Sequence, residues 1–180
     1  MTSRQAKWIN VKQVCFLRFY IHLIPHFRNM FALIIGIDDY KYIDGLKGAG
    51  ADADAVAKFL KNHVKVQPSR IVNLRNKEAT RAAIFQAFSD LWNNNLITYN
   101  DPILIYFAGH GCEMPRPDGW DTGGEDNIQG ICPYDVEMKD SLNRKNFPIP
   151  DRTLGALLNK LSHSKGHCIV SRQRYSLSRR

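Results

Sequence analysis

Phe31-Ala-Leu-Ile-Ile-Gly-Ile37 is a continuous apolar run, the form taken by a strand buried on both faces. Beyond it, Ala53, Val56, Ala57 and Leu60 recur at helical spacing and predict a helix from about Asp52 to Asn62. Ile71-Val-Asn-Leu74 reads as a short second strand. Thr80 stands where a helix cap belongs, ahead of a buried stripe formed by Ile84, Phe88 and Leu91. Asn100-Asp101-Pro102 closes the connection, and Ile103-Leu-Ile-Tyr-Phe107 is the strongest strand pattern in the chain. Residues 113–148 are rich in Gly, Pro, Asp and Asn. They are predicted as a long surface loop, anchored only at Ile131-Cys-Pro-Tyr-Asp135. Asp151, after Pro150, is expected to cap a third helix with Leu154, Leu157, Leu158 and Leu161 on one face. A fourth strand starts at His167-Cys-Ile-Val170 and is expected to fail there. The residues that follow, SRQRYSLSRR, have no apolar period and are not expected to continue a central strand.

Alternation of buried strands with amphipathic helices predicts an α/β fold, a mainly parallel sheet with helices on both faces. In such folds the chemistry sits in loops at the carboxyl ends of the strands. The expected organisation is a basic extension over residues 1–30 outside the fold, a domain over 31–170, and an aberrant basic tail over 171–180. No internal repeat is visible.

The net charge of +8 changes meaning once it is located. Residues 1–30 carry five Lys/Arg and no acid, and residues 164–180 carry five more and no acid. The stretch between them is close to neutral, so there is no basic face of the kind nucleic-acid binding requires. The four cysteines, Cys15, Cys112, Cys132 and Cys168, form no CxxC pair and no zinc spacing with the histidines. A reduced, intracellular chain without a metal is the reading. The run from Val14 to Ile24 is broken by Arg18 and His22, too short and too charged for a membrane span. A cytoplasmic location follows, and the Arg-bearing, acid-free start is the only hint of mitochondrial targeting.

Directly after the strongest strand comes Ala108-Gly109-His110-Gly111. A histidine at a strand's carboxyl edge between two glycines is sterically uncovered and can move protons near neutral pH. Its surroundings carry a resemblance. Gly36-Ile-Asp-Asp-Tyr40 ends the first strand, Leu46-Lys-Gly48 follows, and Ala51-Asp-Ala53 opens a helix. Tyr106-Phe-Ala-Gly-His-Gly111, Ile131-Cys-Pro-Tyr-Asp135 and Pro150-Asp151 come after them in order. This ordered set, over about residues 31–170, resembles the caspase-like and metacaspase cysteine endopeptidases.

The resemblance implies a caspase-like fold, incomplete at the C-terminus, and peptide-bond hydrolysis by a Cys–His dyad on a peptide or protein substrate. His110 takes the histidine role, protonating the leaving amine after thiolate attack. Gly111 matches the position whose backbone N–H helps hold the oxyanion. The acid that receives a basic residue before the cut falls on Asp52 when counted from Gly48 to Leu60. Asp54 is the competing match, and either acid at a helix start could simply cap N–H groups. The family's cysteine, in a motif like Asp-Cys-Cys-His-Ser-Gly, should fall near Tyr175 or Ser176. There the chain reads Arg174-Tyr-Ser-Leu-Ser178, with no cysteine. Ser176 lacks the nucleophilicity of a thiolate. Cys168 sits at the entry of its strand, Cys112 is too close in sequence to His110, and Cys132 matches a position that is not the nucleophile.

Two other patterns lead elsewhere. Gly48-Ala-Gly-Ala-Asp-Ala53 fits a dinucleotide motif but does not follow the first strand directly. Asp118, Asp121, Glu125 and Asp126 could help bind calcium, which some metacaspases need, yet their spacing is not that of an EF-hand. No cofactor is expected. Two readings remain: an endopeptidase domain whose cysteine segment is missing from an interrupted C-terminus, or an inert caspase-like module that binds or regulates partners. An unfinished sheet edge would offer such a partner a place to pair.

Overall fold

The computed structural model describes residues 27, 29–124 and 126–166, together with the backbone of Trp8–Ile9 and Cys168–Ser176. The elements are β1 (Trp8–Ile9), β2 (Phe31–Gly36), α1 (Ala49–Phe59), β3 (Ile71–Arg75), α2 (Arg81–Asn93), β4 (Ile103–Pro115), β5 (Asn127–Ile131), β6 (Ile149–Pro150), α3 (Asp151–Lys165) and β7 (Cys168–Ser176).

β2 is buried along its whole length, as an uninterrupted apolar run demands. Its side chains alternate between two cores. Phe31, Leu33 and Ile35 join Ile84, Phe88 and Leu91 of α2 and Leu154, Leu158 and Leu161 of α3. Ala32 and Ile34 join Ala49, Ala53 and Ala57 of α1 on the opposite face. Helices therefore cover both faces, as expected. The helix predicted over 52–62 is α1 followed by a wider turn, Leu60–Val64, that ends at Lys65 in the left-handed region.

The strands run β1-β7-β4-β2-β3, with β5 pairing β4 and β6 pairing β5. The pairs along the main path are parallel, while β4–β5 and β5–β6 are antiparallel. The sheet is thus mixed rather than simply parallel. The departure arises because β4 does not end at Phe107: it runs on to Pro115 and folds back as a hairpin onto β5. Of the predicted 113–148 loop, Glu113–Pro115 and Asn127–Ile131 are therefore strand, and most of the remainder is turn and irregular backbone. Its expected anchor does hold: Asp135 is buried and its carboxylate accepts from the Arg81 N–H at 2.7 Å and from Asn146 at 2.8 Å.

Three further expectations are corrected. Cys168–Ser176 forms one strand, in parallel register with β4 from Ile103 to Gly111. The strand does not fail at Val170, because the ladder is built from main-chain groups that every non-proline residue supplies. The first 30 residues are not all outside the fold. Trp8 and Ile9 pair with Val170 and Ser171 along the far edge of β7, and Met30 is buried. That edge is therefore occupied at these two positions. Finally, Pro150, not Asp151, is the N-cap of α3, and Asp151 lies in its first turn, where its charge favours the helix dipole. Thr80 caps α2 as predicted, accepting from the Ala83 N–H at 3.2 Å.

Candidate functional site

β4 changes partner at the point where its sequence reaches histidine. Up to Ala108 it pairs with β2, and from Gly111 onward with β5. Ile37 donates its N–H to Ala108 O, and Cys132 donates to His110 O at 2.9 Å. Even-numbered residues of β4 thus aim their main-chain polar groups toward β2 and β5. Gly111, the next residue, aims its N–H the other way, toward β7.

His110 is 96% buried, held by the connection between β2 and α1 (exposure 4%). Its Nε2 lies 3.0 Å from the Asp44 carbonyl oxygen. A carbonyl can only accept, so Nε2 carries the proton and, in the neutral ring, the acceptor lone pair is on Nδ1. The Tyr40 ring stands 5.0 Å from the imidazole, centroid to centroid, tilted by 49°. The His110 N–H donates to Tyr40 Oη at 2.9 Å.

Asp38 shapes the connection that supplies both contacts. Its carboxylate oxygens accept from the N–H groups of Ala49 and Gly50 at 2.7 and 2.8 Å. This does the capping that the sequence suggested for an acid inside the helix, since Gly48, at φ 109, has no side chain to cap with. Asp38 O also accepts from the Leu46 N–H, and Asn76 Oδ1 accepts from the N–H groups of Asp38 and Asp39.

Of the residues singled out from sequence, His110 and Gly111 lie consecutively on β4. Asp52 is half-buried in the first turn of α1. Ala53, beside it, packs over Gly36, the register partner of Ala108, so this helix start shares the sheet edge with His110. Asp54 is exposed and paired with Arg75 at 3.0 Å. Cys168 pairs with Ile103, seven positions before His110, which puts it about 23 Å away along the strand. Cys132 is buried, and Cys112 is half-buried beside the same core. The position in register with His110 is Tyr175, and Ser176 is in register with Gly111. Glu125 lies outside the described residues; among those described, no three His, Cys, Asp or Glu side chains are grouped to hold a metal ion. Among the described residues no helix is long and apolar enough to cross a membrane.

The family model for the metacaspase, peptidase C14 domain matches residues 31–166. The chain belongs to this family. A solved structure of a Geobacter sulfurreducens protein is similar, with a TM-score of 0.56 and 19% sequence identity, over 82% of this chain and 49% of that one. At that identity the likeness speaks for the fold, and the chain spans about half the length of that protein. No curated protein matches it. Sequence reasoning had the histidine but missed Asp38, Tyr40 and the Asp44 carbonyl. Asp-Asp-Tyr was in view as part of a motif, but no period or spacing assigns its members separate tasks.

Burial pushes the Tyr40 phenol well above its ordinary pKa, and the N–H of His110, which pulls it down, does not offset this. An unfolded tyrosine ionises near pH 10, so above that pH the unfolded state releases a proton that the native state keeps. Stability is therefore expected to be unaffected by this group below about pH 10 and to fall as pH rises beyond it. Urea titrations of the wild type and Tyr40→Phe between pH 8 and 11 check this. The variant should show the shallower decline, and equal slopes would refute the assignment.

Proposed function

We propose that this chain is a caspase-like cysteine endopeptidase domain that carries the histidine half of the catalytic dyad but not the thiol. His110 would return a proton to the leaving amine, drawing it first from a thiol through Nδ1 while Asp44 O holds Nε2–H. The family resemblance gives Gly111 N–H the oxyanion role. Asp52 would receive a basic residue ahead of the cut; Asp54 fits this less well because Arg75 already pairs with it. The observation that carries the reading is the register of β7 against β4, in which Tyr175 stands alongside His110 and no cysteine does. A hydroxyl at Ser176 is far less nucleophilic than a thiolate. The same observation supports the second reading, an inert module that binds protein partners.

Two experiments test the proposal and separate its readings. The purified chain should turn over Arg- or Lys-ending peptide reporters no faster than His110→Ala does. Turnover that disappears in His110→Ala would mean that a nucleophile is present after all. Tyr175→Cys and Ser176→Cys each install a thiol at the register position. For a disabled peptidase site, one of these thiols should react with iodoacetamide near pH 7 roughly tenfold faster than in the matching His110→Ala double variant, reflecting a lowered thiol pKa. Equal rates for both thiols, with and without His110, would leave only the inert-module reading.

A further inference from the structure

The hairpin of β4 and β5 contains an interrupted rung at His110. Continuing the register Gly111↔Ile131 by one step pairs His110 with Cys132. Two residues so placed in an antiparallel ladder exchange two main-chain hydrogen bonds. Only one of the two forms directly, from Cys132 N–H to His110 O at 2.9 Å. In the other, a phenol has been inserted: His110 N–H donates to Tyr40 Oη at 2.9 Å, and Tyr40 O–H donates to Cys132 O at 3.3 Å.

Three observations show that this insertion is built into the local structure. It sits at the fork where β4 leaves β2 and has yet to meet β5, which is where a ladder can open to admit a side chain. Tyr40 is buried, and among the described residues its hydroxyl is satisfied through this bridge, between two main chains. Gly109 makes the approach feasible: a Cβ there would lie 2.7 Å from Tyr40 Oη and 2.7 Å from Phe107 Cζ. The glycine ahead of the histidine thus makes room for two side chains, the Tyr40 phenol and the Phe107 ring, and does not serve a turn. The same ring also rests against the imidazole, and the same connection supplies the Asp44 carbonyl to Nε2.

We infer that Tyr40 is a positioning residue for His110, fixing the histidine's main chain through the bridged rung and its imidazole through ring contact, so that Nε2–H stays directed at Asp44 O. The inference rests on reading His110 as the proton-transfer residue, but its test needs no peptide turnover and so fails or succeeds separately from the endopeptidase reading. In ¹⁵N-labelled full-length chain, Tyr40→Phe keeps the ring and removes the bridge. The His110 amide should exchange with solvent about tenfold faster or more, the change that losing a hydrogen bond of ordinary strength produces. The His110 ring nitrogens should shift from a single Nε2–H pattern toward a mixture of tautomers, while His63 and His163 stay unchanged. A variant of lower thermal stability whose His110 ring pattern and amide exchange match the wild type would overturn the inference, leaving Tyr40 as a core residue only. If Tyr40→Phe does not fold, 3-fluorotyrosine at position 40 keeps the bridge but weakens its oxygen as an acceptor. The His110 amide proton should then move upfield, and an unmoved resonance would overturn the inference equally.

Discussion

Gly36→Val is expected to cost about 3 kcal/mol or more, the upper range for overpacking a close-packed interface. A Cβ at position 36 would stand 2.5 Å from Ala53 Cβ, 3.1 Å from Ala49 O and 3.3 Å from Gly50 Cα. Two of these neighbours are main chain of α1, so no rotamer change relieves the clash and the helix itself must move. Against a total stability of roughly 5–15 kcal/mol, that loss is large. A double-mutant cycle makes the cause specific. Gly36→Ala should cost about 2 kcal/mol, and Ala53→Gly about 1 kcal/mol through helix propensity. Combined, they should cost less than their sum, because the nearest clash is gone. Urea denaturation reads all three, and additivity to within about 0.3 kcal/mol would reject direct packing of α1 on β2. Displacement of the helix would also carry Asp52 away from the edge that holds His110.

The second large effect is at Asp38. Removing its carboxylate in Asp38→Ala strips two charge-assisted hydrogen bonds from the first turn of α1, and Gly48 has no side chain to replace them. A loss of about 2 kcal/mol is expected, at the high end for a helix cap. Asp38→Asn keeps one acceptor oxygen and should lose roughly half as much. The variants should also loosen the connection from Asp39 to Lys47, so amide exchange at Leu46 and line shape at the His110 imidazole serve as a second readout. If stability falls while His110 is undisturbed, the carboxylate serves the helix alone.

The contrast between these two positions shows what a sequence discloses. Buried strands announce themselves by length and apolarity, so β2 and the first half of β4 were legible, as were the shorter, half-buried β3 and the Thr80 cap. The second half of β4 was not. Gly109-His-Gly-Cys-Glu-Met-Pro115 has the composition of a loop, and its partner, Asn127–Ile131, has only two large apolar residues, Ile128 and Ile131, three positions apart and so not in strand alternation. Such a hairpin is held by main-chain bonds that leave little trace in side-chain pattern. β7 was hidden for the same reason beyond Val170. At the site, His110 stood out because glycines flank it at the end of a strong strand. Asp38 and Tyr40 act across long sequence distances, on groups that no local spacing relates to them. Asp151 was misread because a helix start offers acids two distinct places, the cap and the first turn, and sequence alone favours both.

The contacts that hold His110 have a consequence for the order in which the molecule can fold. The Nε2 bond to Asp44 spans 66 residues, the bridge from the His110 N–H to Tyr40 spans 70, and its second half to Cys132 spans 92. None of them can form early, because each closes a loop whose entropy cost must be met by sheet contacts already in place. The parallel alignment of β2 with β4, itself a connection across α1, β3 and α2, has to exist before Tyr40 can reach the fork. A chain that has collapsed around the two apolar cores would therefore hold its helices and central strands while its histidine still samples many orientations, and the site would be completed only after the sheet has formed.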